Sequence, residues 1–267
     1  MERATRRVAA VIPARGGSKG VPHKNLRRLG PLTLTGWAIR SAFQSRWVTD
    51  VVVSTEDSAI AVAATADMAR FAAEERASLE AANLTALRAC GGRPALAVGR
   101  AWKIVARPAE LATDEALTDP VLIHAAAVLG LEDDDLVVLL QPTCPFRPPW
   151  LIDGCIDCGV GYDAVFSAFE GHFVWGLTDE GWACNAPRRP RRQDMTQADK
   201  RMIEDGMVYV VRVGSLRTWT SRVLPGKTLP FVVMPRGGVA VDVDTEDDMA
   251  LAEWVYERWW RPAEERA

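Results

Sequence analysis

The sequence predicts an α/β fold, a doubly wound and mostly parallel sheet flanked by helices. Short apolar runs of strand length alternate along the chain with longer helix-length stretches, the pattern of a parallel sheet with helical crossovers. The first run, Val8-Ala9-Ala10-Val11-Ile12-Pro13, is apolar throughout and reads as a buried strand. With 267 residues, 48 % of them apolar, the chain can bury the core of one α/β domain with an appendage, or of two small domains.

In chain order, strands are expected at 7–13, 50–54, 135–141, 163–168, 207–213, 230–234 and 239–243. Helices are expected at 33–46, 57–80, 117–129, 148–158 and 245–260. The last opens with Thr245-Glu246-Asp247-Asp248, where Thr245 or Asp244 can cap and the acids suit the helix dipole. The Ala-rich stretch 58–90 reads as a surface or lid helix. Segment 170–206 breaks the rhythm with Trp175, Trp182 and the run Arg188-Arg189-Pro190-Arg191-Arg192, as a functional or partner-binding arm does.

Composition excludes several classes. A net charge of −3 argues against a nucleic-acid partner and makes the basic clusters local features. No apolar run has the roughly 20 residues that cross a membrane. The N-terminus passes directly into the first strand, so no secretory signal and a cytoplasmic location are expected. Five cysteines, an odd number, suggest no disulfide framework, and Cys155 and Cys158 lack the second pair that a zinc site needs.

The most informative motif follows the first strand: Ala14-Arg15-Gly16-Gly17-Ser18-Lys19-Gly20, continuing to Lys24 and Asn25. Two of the chain's five lysines lie in this loop. Glycines let backbone N–H groups approach a phosphate, and cations neutralise it, so a polyphosphate site is expected. The P-loop pattern is absent because Lys19 precedes Gly20, and the dinucleotide pattern fails because Ser18 stands at its middle glycine. A second motif, Val239-Ala240-Val241-Asp242-Val243-Asp244, puts two carboxylates on one face of an expected strand. Adjacent hard carboxylates suit Mg²⁺, although they could simply meet water or cap the next helix. A third, Leu139-Leu140-Gln141-Pro142-Thr143-Cys144-Pro145-Phe146-Arg147, places Gln141 on the rim where ligands of open α/β sheets bind.

Together these motifs resemble the CMP-sugar synthetases, the acylneuraminate and nonulosonic acid cytidylyltransferases. Further matching pieces are Ser54-Thr55, Arg107-Pro108-Ala109-Glu110-Leu111-Ala112-Thr113-Asp114, Arg189 to Asp194 and Asp242-Val243-Asp244-Thr245, in family order from residue 8 to about 255. The resemblance implies a single cytidylyltransferase domain over 1–267, a Rossmann-like nucleotidyltransferase with a small dimerisation and acceptor-binding excursion at 170–206. Residues 72–104 stand out as an insertion relative to family spacing. By the same resemblance Ala14, Arg15, Ser18, Lys19, Lys24, Asn25, Arg107 and Thr118 would bind CTP, and Gln141, Arg191 and Gln193 a small acidic acceptor. Asp242 and Asp244 would hold Mg²⁺, and these two with Arg15 and Lys24 would form the catalytic group.

The implied partners are CTP, a sialic-type sugar acid and a second copy of the chain, with no nucleic acid and no membrane. The implied reaction moves CMP from CTP to the acceptor and releases pyrophosphate. The usual Q-P-T-S-P-L-R carries Cys144 and Phe146 here, and the usual N-G-x-x-Y begins with Asp205. These departures flank the acceptor, so a phosphonate acceptor is the alternative, its dianion suiting the arginine cluster equally well.

Overall fold

The computed structural model describes residues 6–90, 99–179, 181–186, 188, 190–224, 227–233 and 240–262. Its strands are β1 (Val8–Pro13), β2 (Arg28–Leu29), β3 (Leu32–Thr33), β4 (Asp50–Thr55), β5 (Ala101–Ala106), β6 (Leu136–Leu139), β7 (Ala164–Gly171), β8 (Trp175–Thr178), β9 (Gly181–Cys184), β10 (Arg201–Arg212) and β11 (Thr228–Val232). The α-helices are α1 (Leu34–Gln44), α2 (Ser58–Cys90), α3 (Thr118–Leu129), α4 (Leu151–Cys158), α5 (Val213–Trp219) and α6 (Glu246–Val255). Seven strands form one sheet in the order β11-β7-β10-β6-β1-β4-β5. All neighbours pair in parallel except β10, which runs antiparallel to β6 and β7.

Burial follows the strand period of two. Val8, Ala10 and Ile12 of β1 face one core, packed under α1, α2, α4 and α6; Ala9 and Val11 face the other, under α3 and α5. Helices therefore cover both faces, which explains why β1 and β6 are continuously apolar and β4 carries Val51, Val52 and Val53 in a row. From β1 the chain moves to β4 and β5 on one side, then returns to β6 on the other. That reversal opens a crevice beyond the carboxyl end of β1, where such sheets bind ligands.

Most expected elements form, and their ends carry physical reasons. Thr33 caps α1 by accepting from Gly36 N–H at 2.9 Å, and Asp57 caps α2 by accepting from Ala59 and Ile60 N–H at 2.8 and 3.0 Å. At α6 it is Thr245, not Asp244, that caps, in a reciprocal box with Asp248. Helix α2 runs ten residues past the expected end, because its Ala-rich sequence offers no breaker before Cys90. It therefore extends well into residues 72–104, and β5 supplies the rest of that stretch's described structure. The sequence reading missed β5, whose first residues are exposed, and the short α5.

The strand expected over 239–243 does not form. Residue 239 lies outside the described residues, and 240–243 join no ladder. The alternation that suggested a strand survives nonetheless: Val241 and Val243 are buried, while Asp242 and Asp244 are exposed. Extended backbone alone produces that pattern, and one bond from Val243 N–H to the Thr143 carbonyl at 2.9 Å fixes the segment beside the β6 loop.

Arg147 is the fold's most unusual core residue, 1 % exposed. It donates to the carbonyl of Met207 at 2.6 Å and to that of Gln141, bracing β10 against the loop after β6. Burial pulls its pKa down to about 10, while Asp205 and Asp242 pull it up. Replacing it with an apolar side chain removes both bonds, leaving the Gln141 carbonyl with only the Cys144 N–H and taking this donor from the Met207 carbonyl. We expect Arg147→Met to lower stability by about 3 kcal/mol, read from urea unfolding followed by tryptophan fluorescence; a loss below 1 kcal/mol would show that the brace is dispensable.

Candidate active site

The crevice beyond β1 is lined by Pro13, Arg15, Ser18, Lys24, Asn25, Arg107, Thr113, Asp114, Thr118, Gln141 and Thr143, among others. Its floor is the sheet, its near wall the loop after β1, and its far wall the segment that ends at the start of α3. The loop is held at both ends. Ala14, fully buried, donates its N–H to the Ser54 carbonyl at 3.0 Å, and buried Val21 anchors the return. Asn25 crosses the loop by donating its amide to the Arg15 carbonyl at 2.8 Å, and its own carbonyl accepts from Thr35 Oγ1 at 2.9 Å. His23 takes the left-handed conformation (φ 51°), which turns the chain just before Lys24.

The glycines divide by what surrounds them. A Cβ at Gly16 would collide with the Asp57 carboxylate, which is already committed to capping α2. One at Gly20 would collide with the backbone carbonyl oxygen of Asp244. One at Gly17 would meet nothing within 4 Å. Gly20 therefore lets the loop after β1 lie directly against the aspartate segment more than 200 residues later.

Each cation of the cleft already faces a carboxylate. Lys24 Nζ lies 2.8 Å from Asp244 Oδ1, with the lysine largely buried and the aspartate exposed. Arg15 reaches Asp114 Oδ1 at 2.8 Å, and Lys19 reaches Asp114 Oδ2 at 2.5 Å. These two cations, the Lys19 hydrogen bond first, hold the Asp114 carboxyl below the usual range. Arg107 is buried, donates to the Ser54 carbonyl at 2.6 Å and faces Glu56 at 4.0 Å; burial lowers its pKa. Glu56 also accepts from Gly16 N–H at 2.6 Å.

On the sheet side, a second cluster surrounds Gly206, whose φ of +75° suits glycine. A Cβ there would stand 2.8 Å from Cys144 Sγ, 3.0 Å from Gln141 Oε1 and 3.8 Å from Asp242 Oδ2. Asp242 thus reaches the same corner as Gln141. Burial first, then Asp242, pushes the Cys144 thiol up to about 12, so it stays protonated and unreactive.

Of the residues singled out from sequence, the crevice gathers Arg15, Ser18, Lys24, Asn25, Arg107, Thr118 and Gln141 in its lining, with Lys19, Asp242 and Asp244 at its border. Ala14 serves through its backbone. Arg191 and Gln193 are not in the lining: both are exposed on the excursion, and Arg191 Nε donates to Asp194 at 2.6 Å. Glu56 and Asp114 received no role from the sequence, since a carboxylate facing a cation across about 50 to 100 residues leaves no local pattern; the site roles of Asp57 and Gly206 also went unassigned. Among the described residues no group of three or more His, Cys, Asp or Glu could hold a metal. None of the described helices is long and apolar enough to cross a membrane.

The chain is similar to several known proteins. Residues 9–86 match the family model described as cytidylyltransferase. The chain is 27 % identical over 261 residues to N-acylneuraminate cytidylyltransferase A of Danio rerio, covering 94 % of this chain and 51 % of the relative. It is 30 % identical over 141 residues to the N-acylneuraminate cytidylyltransferase of Escherichia coli O18:K1:H7, covering 53 % of this chain and 25 % of the relative. The chain thus spans about half the length, or less, of these curated relatives. A solved CMP:2-keto-3-deoxy-manno-octonic acid synthetase complexed with CTP shares the fold at a TM-score of 0.56 and 15 % identity, over 93 % of this chain and 98 % of that one. So does 4-diphosphocytidyl-2C-methyl-D-erythritol synthase of Anaerococcus prevotii, at 0.53 and 13 %, over 95 % and 97 %. The sequence matches are to a cytidylyltransferase model and to N-acylneuraminate cytidylyltransferases, and the structural ones show a shared α/β fold.

The contrast among the loop glycines is testable. We expect Gly20→Ala to cost about 1–3 kcal/mol, because backbone rather than a movable side chain blocks the new methyl group, whereas Gly17→Ala stays within about 0.5 kcal/mol. Thermal melts of the two variants beside the parent decide it; equal melting temperatures would mean that the loop does not rest on Asp244.

Proposed function

We propose that the chain belongs with the CMP-sugar synthetases and is a CTP-dependent cytidylyltransferase that loads CMP onto a small acidic acceptor, a sialic-type sugar acid. The observation that carries the reading is the meeting of Lys24 and Asp244, which brings the cationic loop and the carboxylate pair to one crevice. Arg15, Ser18, Lys19, Lys24 and Asn25 take the triphosphate and ribose, and Arg107 and Thr118 flank the cytidine. The N-terminal end of α3, at Thr118, adds its favourable dipole for an anion.

The acceptor hydroxyl attacks the α-phosphorus of CTP, pyrophosphate leaves, and a CMP ester forms. The phosphate charge that grows on the leaving group falls against Arg15 and the lysines, which are held in place before the reaction begins. Asp242 and Asp244 would hold Mg²⁺, which would supply charge neutralisation at the phosphate oxygens. Their chemistry suits that ion: they are two hard carboxylates, both exposed. Gln141, in the same corner as Asp242, contacts the acceptor. Arg191 serves the acceptor of a second copy, a role consistent with its exposure away from its own crevice and with the exposed Leu177 and Trp182 on the β8–β9 hairpin.

Incubation with CTP, Mg²⁺ and a panel of sugar acids and phosphonates, followed by pyrophosphate release, tests the reading. Turnover of phosphonates alone would move the acceptor assignment, and no turnover with any acid would defeat it. For Asp242→Asn and Asp244→Asn we expect kcat to fall by roughly a hundredfold or more while CTP binding changes by less than tenfold. We expect Lys24→Ala to raise the KM for CTP about tenfold and to leave the acceptor's nearly unchanged. Arg191→Ala should raise the acceptor's KM, and sedimentation should report a dimer; a monomer with full acceptor affinity would remove the second copy.

A further inference from the structure

Asp114 sits where it should not if the crevice were shaped for anions alone. It lines the crevice, and its two carboxylate oxygens are divided between Arg15 Nη2 at 2.8 Å and Lys19 Nζ at 2.5 Å. A bidentate anion bridging two cations is the arrangement that a phosphate group makes. The same Arg15 also donates through Nη1 to the Thr113 carbonyl at 2.8 Å, so its guanidinium is spent on two consecutive residues of one loop. The loop itself, between Leu111 and α3, is largely exposed and carries no other described bond from the far wall to the loop after β1.

We propose that Asp114 is an internal stand-in for the nucleotide's phosphate, holding Arg15 and Lys19 so that the triphosphate binds by displacing it. The proposal rests on the crevice being a triphosphate site, and it adds a residue that sets affinity by opposing it. Three consequences follow from the exchange. Two cations held by one carboxylate do not repel each other before the ligand arrives, so the loop keeps its shape when empty. Ligands with a single weak negative charge fail to displace a carboxylate held twice, which favours polyphosphates. The Asp114–Thr113 segment, once released, is free to move with whatever enters, so opening of this wall is coupled to phosphate binding.

Asp114 is then a positioning residue whose loss should improve binding, an outcome that damage to the fold does not produce. Isothermal titration of CTP and of inorganic tripolyphosphate into the parent, Asp114→Asn and Asp114→Glu tests this. We expect Asp114→Asn to bind both ligands roughly three- to tenfold more tightly, the worth of two exposed ion pairs, and Asp114→Glu to stay within about twofold of the parent. Equal or weaker binding of tripolyphosphate by Asp114→Asn, with an unchanged melting temperature, would overturn the proposal. A parent that binds tripolyphosphate but not CTP would sink the cytidylyltransferase reading alone, and Asp114 would stand or fall on the polyphosphate titration. A parent that binds neither sinks both.

Discussion

Everything in the crevice depends on the contact between the loop after β1 and the Asp242–Asp244 segment. Lys24 and Asp244 form the ion pair, but the closer constraint is steric: Gly20 has no side chain because the Asp244 carbonyl occupies its place. Two stretches separated by 220 residues thus form one wall. The ion pair alone, half in water, contributes little to stability. The backbone contact, backed by the buried Val241 and Val243 and by the α6 capping box, holds the geometry.

The fold was largely legible in the sequence, for a simple reason. Strands buried on both faces are rich in apolar residues, and β1 and β6 announce themselves as unbroken runs, β4 as a row of three valines. Strand β5 was missed: its first half is exposed and Lys103 interrupts its apolar run. Residues 240–243 show the period of a strand because Val241 and Val243 are buried, yet they join no ladder. Periodicity reports which side of an extended chain is buried, not whether a neighbour completes the ladder.

The candidate site was legible in its cations and in the Asp242–Asp244 pair, and hidden in the anions that face Arg15, Lys19 and Arg107. Arg15, Lys19 and Lys24 stand out because glycine and basic residues rarely cluster without purpose. Their partners Asp114 and Glu56 look ordinary, since pairing across the crevice is a property of the fold. The same holds for Gly206, whose positive φ brings Cys144, Gln141 and Asp242 into one corner. Arg147 lies beneath that corner and joins it to β10, so the corner and the core share a support.

Strand β5 has a consequence beyond its place in the sheet. Its partner β4 is buried at all six positions and carries Val51, Val52 and Val53 in a row. Left as the outermost strand, β4 would offer a bare apolar ladder on which another molecule's chain could grow, the beginning of aggregation. By covering it, β5 presents solvent with Trp102 and the charged Lys103 instead. The stretch that reads as an insertion therefore also guards the molecule against self-association through its sheet, and shortening it would forfeit that protection even if the crevice survived.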